Sequence, residues 1–252
     1  MYFDTHAHYD APQFDPDRHE LLEELHRQGV DYIVDPGCDP KSCEIANNLA
    51  EKYDFLYFAA GIHPEEADSA GEGYLDLIRT YLRHPKCVAV GEIGLDYHWG
   101  GEDREKQRRI FREQLELCRE FGKPAIVHER DAVRDCLDIV TDFPDTVGVL
   151  HCFSGSIETM EAVLRQGWYV SFTGVVTFKN ARKAVEAAAR VPADRFMLET
   201  DSPYMAPEPR RGRRNDSGNL EFICRRLAQI RGAAPEEIAR QTAENARRFY
   251  GI

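Results

Sequence analysis

Eight short apolar runs, separated by longer amphipathic segments, set the range of folds open to this chain of 252 residues. The runs cover residues 2–5, 32–35, 55–59, 88–91, 125–128, 147–151, 168–172 and 195–199. Their length and composition predict buried strands. The segments between them predict helices, most clearly over 102–121. There Phe111, Leu115 and Cys118 fall on one face at spacings of four and three, with charges elsewhere. Gly122 is placed to stop that helix, and Lys123-Pro124 leads into the next run. Residues 131–140, 157–165 and 180–190 behave similarly, and helices over 220–231 and 235–249 finish the chain. Repeated strand–helix alternation implies parallel strands with helices packed outside them. Eight such units fit a (β/α)8 barrel, whose usual length of about 250 residues matches; a doubly wound open sheet is the alternative. No linker or low-complexity stretch divides the chain, so a single domain over 1–252 is expected. Residues 202–217, rich in Pro, Gly and Arg, read as a loop.

Composition narrows the setting. Hydrophobic residues make up 42%, enough for a sizeable core. No apolar run reaches the ~18 residues of a membrane span. The N-terminus lacks a basic stretch followed by an apolar one, so a cytoplasmic protein with no membrane contact and no obligate protein partner is expected. Seven cysteines, odd in number and without a Cys-x-x-Cys pair, point to free thiols. Cys152 follows His151 and could be a nucleophile, but a packing role is favoured, because free cysteine behaves as a small apolar residue. The net charge of −12 argues against a basic coat for gripping nucleic acid. A local basic patch exists nonetheless, at Arg210-Arg211-Gly212-Arg213-Arg214.

The chemistry concentrates at strand ends. His6 and His8 close the first run, where residues two apart point to the same face. Glu92 ends the fourth, His128 the fifth and His151 the sixth, and Asp201 follows the eighth. Any one of these alone has a structural explanation, such as a helix N-cap for the Asp. In a barrel, all six converge on the C-terminal face, where barrel enzymes carry their sites.

Four imidazoles and two carboxylates exceed what one tetrahedral zinc takes. They suit two divalent ions about 3.5–4 Å apart, bridged by a carboxylate. Glu92 is the expected bridge, with His6, His8 and Asp201 on one ion and His128 and His151 on the other. Mixed nitrogen and oxygen ligation suits Zn, Mn, Ni or Fe better than Mg or Ca, with Mg kept as a candidate. Such a pair activates water, so the expected chemistry is hydrolysis. Glu92 and Asp201 are the candidate catalytic residues, Asp201 also as proton acceptor.

At this point a family resemblance emerges. It rests on Phe3-Asp4-Thr5-His6-Ala7-His8, Gly61-Ile62-His63-Pro64, Gly91-Glu92-Ile93-Gly94-Leu95-Asp96-Tyr97, His128-Glu129-Arg130-Asp131-Ala132, His151-Cys152-Phe153-Ser154-Gly155, Glu199-Thr200-Asp201-Ser202-Pro203-Tyr204 and the closing Thr242-Ala243-Glu244-Asn245-Ala246-Arg247-Arg248. In order and over nearly the whole chain, these resemble the motifs of the TatD family of metal-dependent DNases. The resemblance implies a (β/α)8 barrel of the metallo-dependent hydrolase superfamily and hydrolysis of DNA phosphodiesters, often from the 3′ end. It also implies His6, His8, Glu92, His128, His151 and Asp201 as the metal ligands. Glu65 stands where members often have His, Arg210 stands where another His is usual, and the Pro that closes the following loop is missing; these departures bear on substrate preference.

The expected substrate is therefore DNA, as ends or single strands, cleaved as by a 3′–5′ exonuclease. His63, Asp96, Arg130 and Arg211 are the candidate substrate contacts. Arginine pairs bidentately with phosphate oxygens, and Tyr97, His98, Trp99 or Tyr204 could stack on a base. The competing reading is an amidohydrolase or deaminase acting on a C–N or ester bond. Glu92 argues against it, since related barrels commonly place a modified Lys on strand four.

Overall fold

In the computed structural model, which describes residues 2–98 and 103–252, eight parallel strands lie side by side in chain order. They are β1 (Tyr2–Asp4), β2 (Val30–Pro36), β3 (Leu56–Ala60), β4 (Cys87–Asp96), β5 (Ala125–Arg130), β6 (Gly148–Leu150), β7 (Tyr169–Phe172) and β8 (Phe196–Leu198). The helices are α1 (Arg18–Arg27), α2 (Pro40–Lys52), α3 (Tyr74–Leu82), α4 (Arg104–Phe121), α5 (Val133–Thr141), α6 (Ile157–Arg165), α7 (Arg182–Arg190), α8 (Leu220–Arg231) and α9 (Pro235–Tyr250). This is the (β/α)8 barrel. None of the described helices is long and apolar enough to cross a membrane.

The seam between β8 and the chain beyond β1 closes through backbone bonds. Thr5 N–H donates to Leu198 O (3.1 Å), Asp201 N–H to His6 O (2.9 Å) and His8 N–H to Ser202 O (2.7 Å). Inside the barrel, Phe3, Val34, Ala59, Ala89, Ile126, Val149 and Met197 pack together and against Ala243, Ala246, Phe249 and Tyr250 of α9. That helix closes the end of the barrel opposite the strand C-termini, leaving those termini for chemistry. The larger apolar cluster lies between the strands and the surrounding helices.

Local sequence explains the boundaries. Asp103 caps α4 by accepting from Lys106 N–H (3.0 Å), and Gly122 ends it in the left-handed region at φ 62°. The expected start of this helix at Glu102 lies outside the described residues. The buried face of α4 carries two polar residues, Gln107 and Gln114, each clamping a strand end. Gln114 accepts from Ile62 N–H (2.7 Å) and donates to Ile62 O (3.1 Å). Gln107 does the same with the backbone of Asp96, at 3.0 Å each way.

Two expected boundaries are corrected. Strand β1 ends at Asp4, so His6 and His8 lie beyond it. They still share a side, since both Nε2 atoms face Oε2 of Glu92, while Thr5 and His8 bond toward the β8 side and Ala7 toward Val34 O at 3.0 Å. Glu92 does not end its strand: β4 runs four residues further and is buried throughout. The glycines of that motif permit the close packing. A Cβ on Gly91 would stand 2.7 Å from Ile126 Cβ, and one on Gly94 (φ 136°) would stand 2.0 Å from His128 O.

Candidate metal centre

Glu92 lies near the middle of a ring of imidazoles, and its two oxygens face different members. Oε2 is 3.2 Å from His6 Nε2 and 3.4 Å from His8 Nε2. Oε1 is 2.8 Å from His151 Nε2, 3.1 Å from His128 Nδ1 and 3.3 Å from His63 Nε2. Asp201 Oδ1 joins the first side, 3.7 Å from His6 Nε2 and 3.6 Å from His8 Nε2. The backbone of Asp201 is left-handed (φ 56°), a conformation an Asp tolerates better than most residues. Its bond to His6 O holds it there.

This donor set suits divalent cations. Its atoms are imidazole nitrogens and carboxylate oxygens, all substantially buried, and Glu92 has only 2% of its surface exposed. Burial opposes ionisation of Glu92, yet His151, His63, His6 and His128 hold its carboxyl well below the usual range. Burial likewise opposes the Asp201 anion, and the nearby imidazoles of His8, His151 and His6 hold it low. An ionised carboxylate among unshielded imidazoles is what a cation requires. His6, His8 and Glu92 could hold one ion, and Glu92 and His128 with His151 beside them a second; His63 also reaches the Glu92–His128 group.

Carboxylates stand behind three of the imidazoles. Asp96 Oδ2 is 2.9 Å from His128 Nε2, Glu199 Oε1 is 3.5 Å from His151 Nδ1, and Asp10 Oδ1 is 3.8 Å from His8 Nδ1. A hydrogen-bonded partner such as Asp96 fixes ring orientation. Asp96 was expected to touch substrate. It is instead fully buried, bonded to His128 and to His98 N–H. The reason is that its carboxyl turns onto His128 and His98 N–H while Gln107 of α4 covers its backbone, although that backbone pairs with Arg130 at the end of β5.

Sequence reasoning missed Glu199, Asp10 and the two glutamines. Glu199 lies two residues before Asp201, and its side chain accepts from Ser171 Oγ (2.6 Å) and Cys152 N–H. The same-face spacing with Asp201 is a signal that could have found it, as are glutamines seven apart on an apolar helix face. Asp35, on β2, is also buried; neither of its oxygens has a hydrogen-bond partner, and burial pushes its carboxyl well above the ordinary range.

The rim divides. Arg130 ends β5 and is exposed. Arg211 is exposed, with its guanidinium 4.2 Å above the Phe178 ring on the loop after β7. Arg210 lies over Phe222 at 5.9 Å. Arg214 is taken: it pairs with both oxygens of Asp17, at 2.7 and 2.6 Å, and lies 4.8 Å over Phe14. Tyr97 donates to Asp135 (2.8 Å) beneath Arg104, and His98 bonds Asp131 (2.9 Å), so both pack locally. Tyr204 is half exposed, its ring 6.4 Å from that of His8. Trp99 lies outside the described residues. Cys152 places its Sγ 3.3 Å from Thr173 Oγ1, and burial pushes the thiol well above its usual range, which keeps it protonated and poorly nucleophilic.

Comparison with known proteins gives the family of the chain. Residues 3–251 match the profile of the family described as TatD related DNase. The chain is 40% identical over 254 residues to YabD of Bacillus subtilis, an uncharacterised metal-dependent hydrolase, with all of both chains covered. It is 31% identical over 258 residues to a protein of Erwinia tasmaniensis named 3′-5′ ssDNA/RNA exonuclease TatD, covering 99% of this chain and 100% of that one. The crystal structure of YJJV, a TatD homologue from Escherichia coli K12, superposes with a TM-score of 0.94 at 30% identity, covering 100% of this chain and 98% of that one.

Proposed function

This chain belongs to the family of TatD related DNases, and from that premise we propose that it is a two-metal exonuclease removing nucleotides from the 3′ ends of single-stranded DNA. That it is a metal-dependent hydrolase follows from the family. The observation that carries the finer reading is the division of the imidazoles by Glu92. Its Oε2 faces His6 and His8, and its Oε1 faces His128 and His151, as a bridging carboxylate would.

In this reading His6, His8 and Asp201 hold one ion, His128 and His151 the other, and Glu92 both. Bound divalent ions supply an activated water and polarise a phosphoryl oxygen. Asp201 would take the proton of the attacking water, its Oδ1 standing 3.7 and 3.6 Å from the His6 and His8 nitrogens that would hold the ion. Arg130 and Arg211 hold flanking phosphates through their guanidinium forks. Exposed Tyr204, beside His8, offers a ring for a terminal base. A local funnel of this kind reconciles a net charge of −12 with a nucleic-acid substrate.

The test is metal-reconstituted protein on 3′- and 5′-labelled single- and double-stranded DNA, beside a panel of esters and amides. Stepwise loss from the 3′ end, abolished by chelation and by Asp201→Asn, is the expected result. Turnover of the panel without DNA cleavage would overturn it in favour of an amidohydrolase.

A further inference from the structure

Each imidazole has two ring nitrogens, and what one of them meets decides what the other presents. A carboxylate can only accept, so a nitrogen facing one carries a proton, and a ring serves a cation only through a nitrogen whose proton can leave while the other nitrogen keeps its own. In His128, Nε2 faces Asp96 at 2.9 Å, so Nδ1, 3.1 Å from Glu92 Oε1, is the nitrogen that a cation would take in place of its proton. Glu199 and Asp10 stand farther from the outer nitrogens of His151 and His8, at 3.5 and 3.8 Å, and the inner nitrogens of those rings face Glu92.

His63 has the opposite polarity. Its Nδ1 accepts a hydrogen bond from the backbone N–H of Glu65 at 3.2 Å. A backbone amide nitrogen cannot accept in return. The ring proton is therefore on Nε2, the nitrogen that points into the centre and lies 3.3 Å from Glu92 Oε1. The ring is held in place as well. His63 N–H donates to Cys38 O at 2.8 Å, Gln114 clamps the preceding Ile62, and the ring stands edge-on to His128 with centroids 4.4 Å apart.

We propose that His63 is not a metal ligand but a fixed N–H donor, which hydrogen-bonds a non-bridging oxygen of the scissile phosphodiester as negative charge builds there. The proposal rests on the phosphodiesterase reading above. No proton is transferred: the Nε2–H bond stays intact, and the donor stabilises charge by position alone. A nitrogen bound to a proton has no lone pair left in the ring plane for a cation. His63 thus stands among metal-binding groups with no lone pair to offer a cation.

Three measurements decide it. Metal counting on dialysed protein should give His63→Ala and His63→Gln the same number of ions as wild type, while His128→Ala holds fewer. On single-stranded DNA, kcat should fall about 10²–10³-fold in His63→Ala, the usual loss for one such donor. His63→Gln, which keeps an N–H donor, should recover part of it. Nitrogen-15 NMR of the imidazoles should show His63 protonated at Nε2 and bare at Nδ1, with and without metal. Loss of an ion from His63→Ala, or a metal-shifted unprotonated Nε2, would overturn the assignment. If wild type holds a single ion and His63→Ala keeps it, the two-metal reading fails and this one stands. If DNA is not cleaved at all, the metal count and the NMR still judge His63.

Discussion

Asp96 stands directly behind His128, its Oδ2 2.9 Å from Nε2 of the ring. A carboxylate in that position orients the imidazole and strengthens it as a donor toward a metal. Asp96→Asn is expected to weaken the more labile ion by about 10–100-fold. Titration against a competing chelator measures this, and an unchanged affinity would remove Asp96 from the site's support.

Glu92 serves two groups of imidazoles through separate oxygens. Glu92→Gln keeps the shape but loses the charge and one acceptor. The variant is expected to retain fewer ions than wild type and to lose hydrolysis to background. Metal content by mass spectrometry reads the first outcome. A variant with full metal content would show that Glu92 is not a shared ligand.

Metal uptake should depend on pH. Burial opposes the His128 cation, but Asp96 and Glu92 together hold that imidazole above its ordinary range, and Glu92 with Glu199 does the same for His151. Their protons must leave when a cation binds, so affinity rises with pH, by up to about tenfold per unit for each proton displaced. Calorimetry in buffers of different ionisation enthalpy counts those protons. Binding that neither releases protons nor tightens between pH 6 and 8 would contradict this.

The seam carries its own pH signature. Asp4 is wholly buried and accepts from Thr200 N–H (2.9 Å), Thr200 Oγ1 (2.6 Å) and Ser217 Oγ (2.6 Å). Burial outweighs these donors and pushes its carboxyl from 3.8 to about 7. A raised carboxyl contributes stability that is complete below about pH 3.8 and disappears as pH climbs through about 7. A difference of this size is worth roughly 4 kcal/mol. Urea unfolding of metal-free wild type and Asp4→Asn at pH 4.5, 6 and 8 should show the wild type losing ground as pH rises. A constant gap between the two would refute it.

Two neighbouring arginines should behave differently. Arg214→Ala breaks a two-pronged pair with Asp17 and is expected to lower stability by about 1 kcal/mol without changing DNA affinity. Arg211→Ala is expected to leave stability unchanged and to reduce the salt dependence of single-strand binding by about 0.7 in slope. Denaturation and binding at several salt concentrations separate the two effects.

Much of the fold was legible because strand and helix periods are local. The runs at 125–128 and 168–172 fall on β5 and β7, and helices α6 and α8 begin and end where the pattern places them. His6, His8, His151 and Asp201 follow the ends of β1, β6 and β8, and Glu92 and His128 lie within β4 and β5 short of their ends, so all six meet toward one face of the barrel. Asp96 was misread because its role depends on its carboxyl turning onto His128, a contact made by folding rather than by its own residues.

The chain by itself thus determined the alternation of strand and helix, the barrel, and the six polar groups at its mouth. Each of these is written in neighbouring residues as apolar period or strand-end position. Only the tertiary structure decided which oxygen of Glu92 meets which ring, that Asp17 captures Arg214 and that α4 clamps two strand ends. Those outcomes are set by hydrogen-bond partners far apart in the chain, Asp17 and Arg214 by 197 residues. A side chain's protonation and orientation follow from the polarity of the partner that folding brings against it, and no local pattern records that polarity.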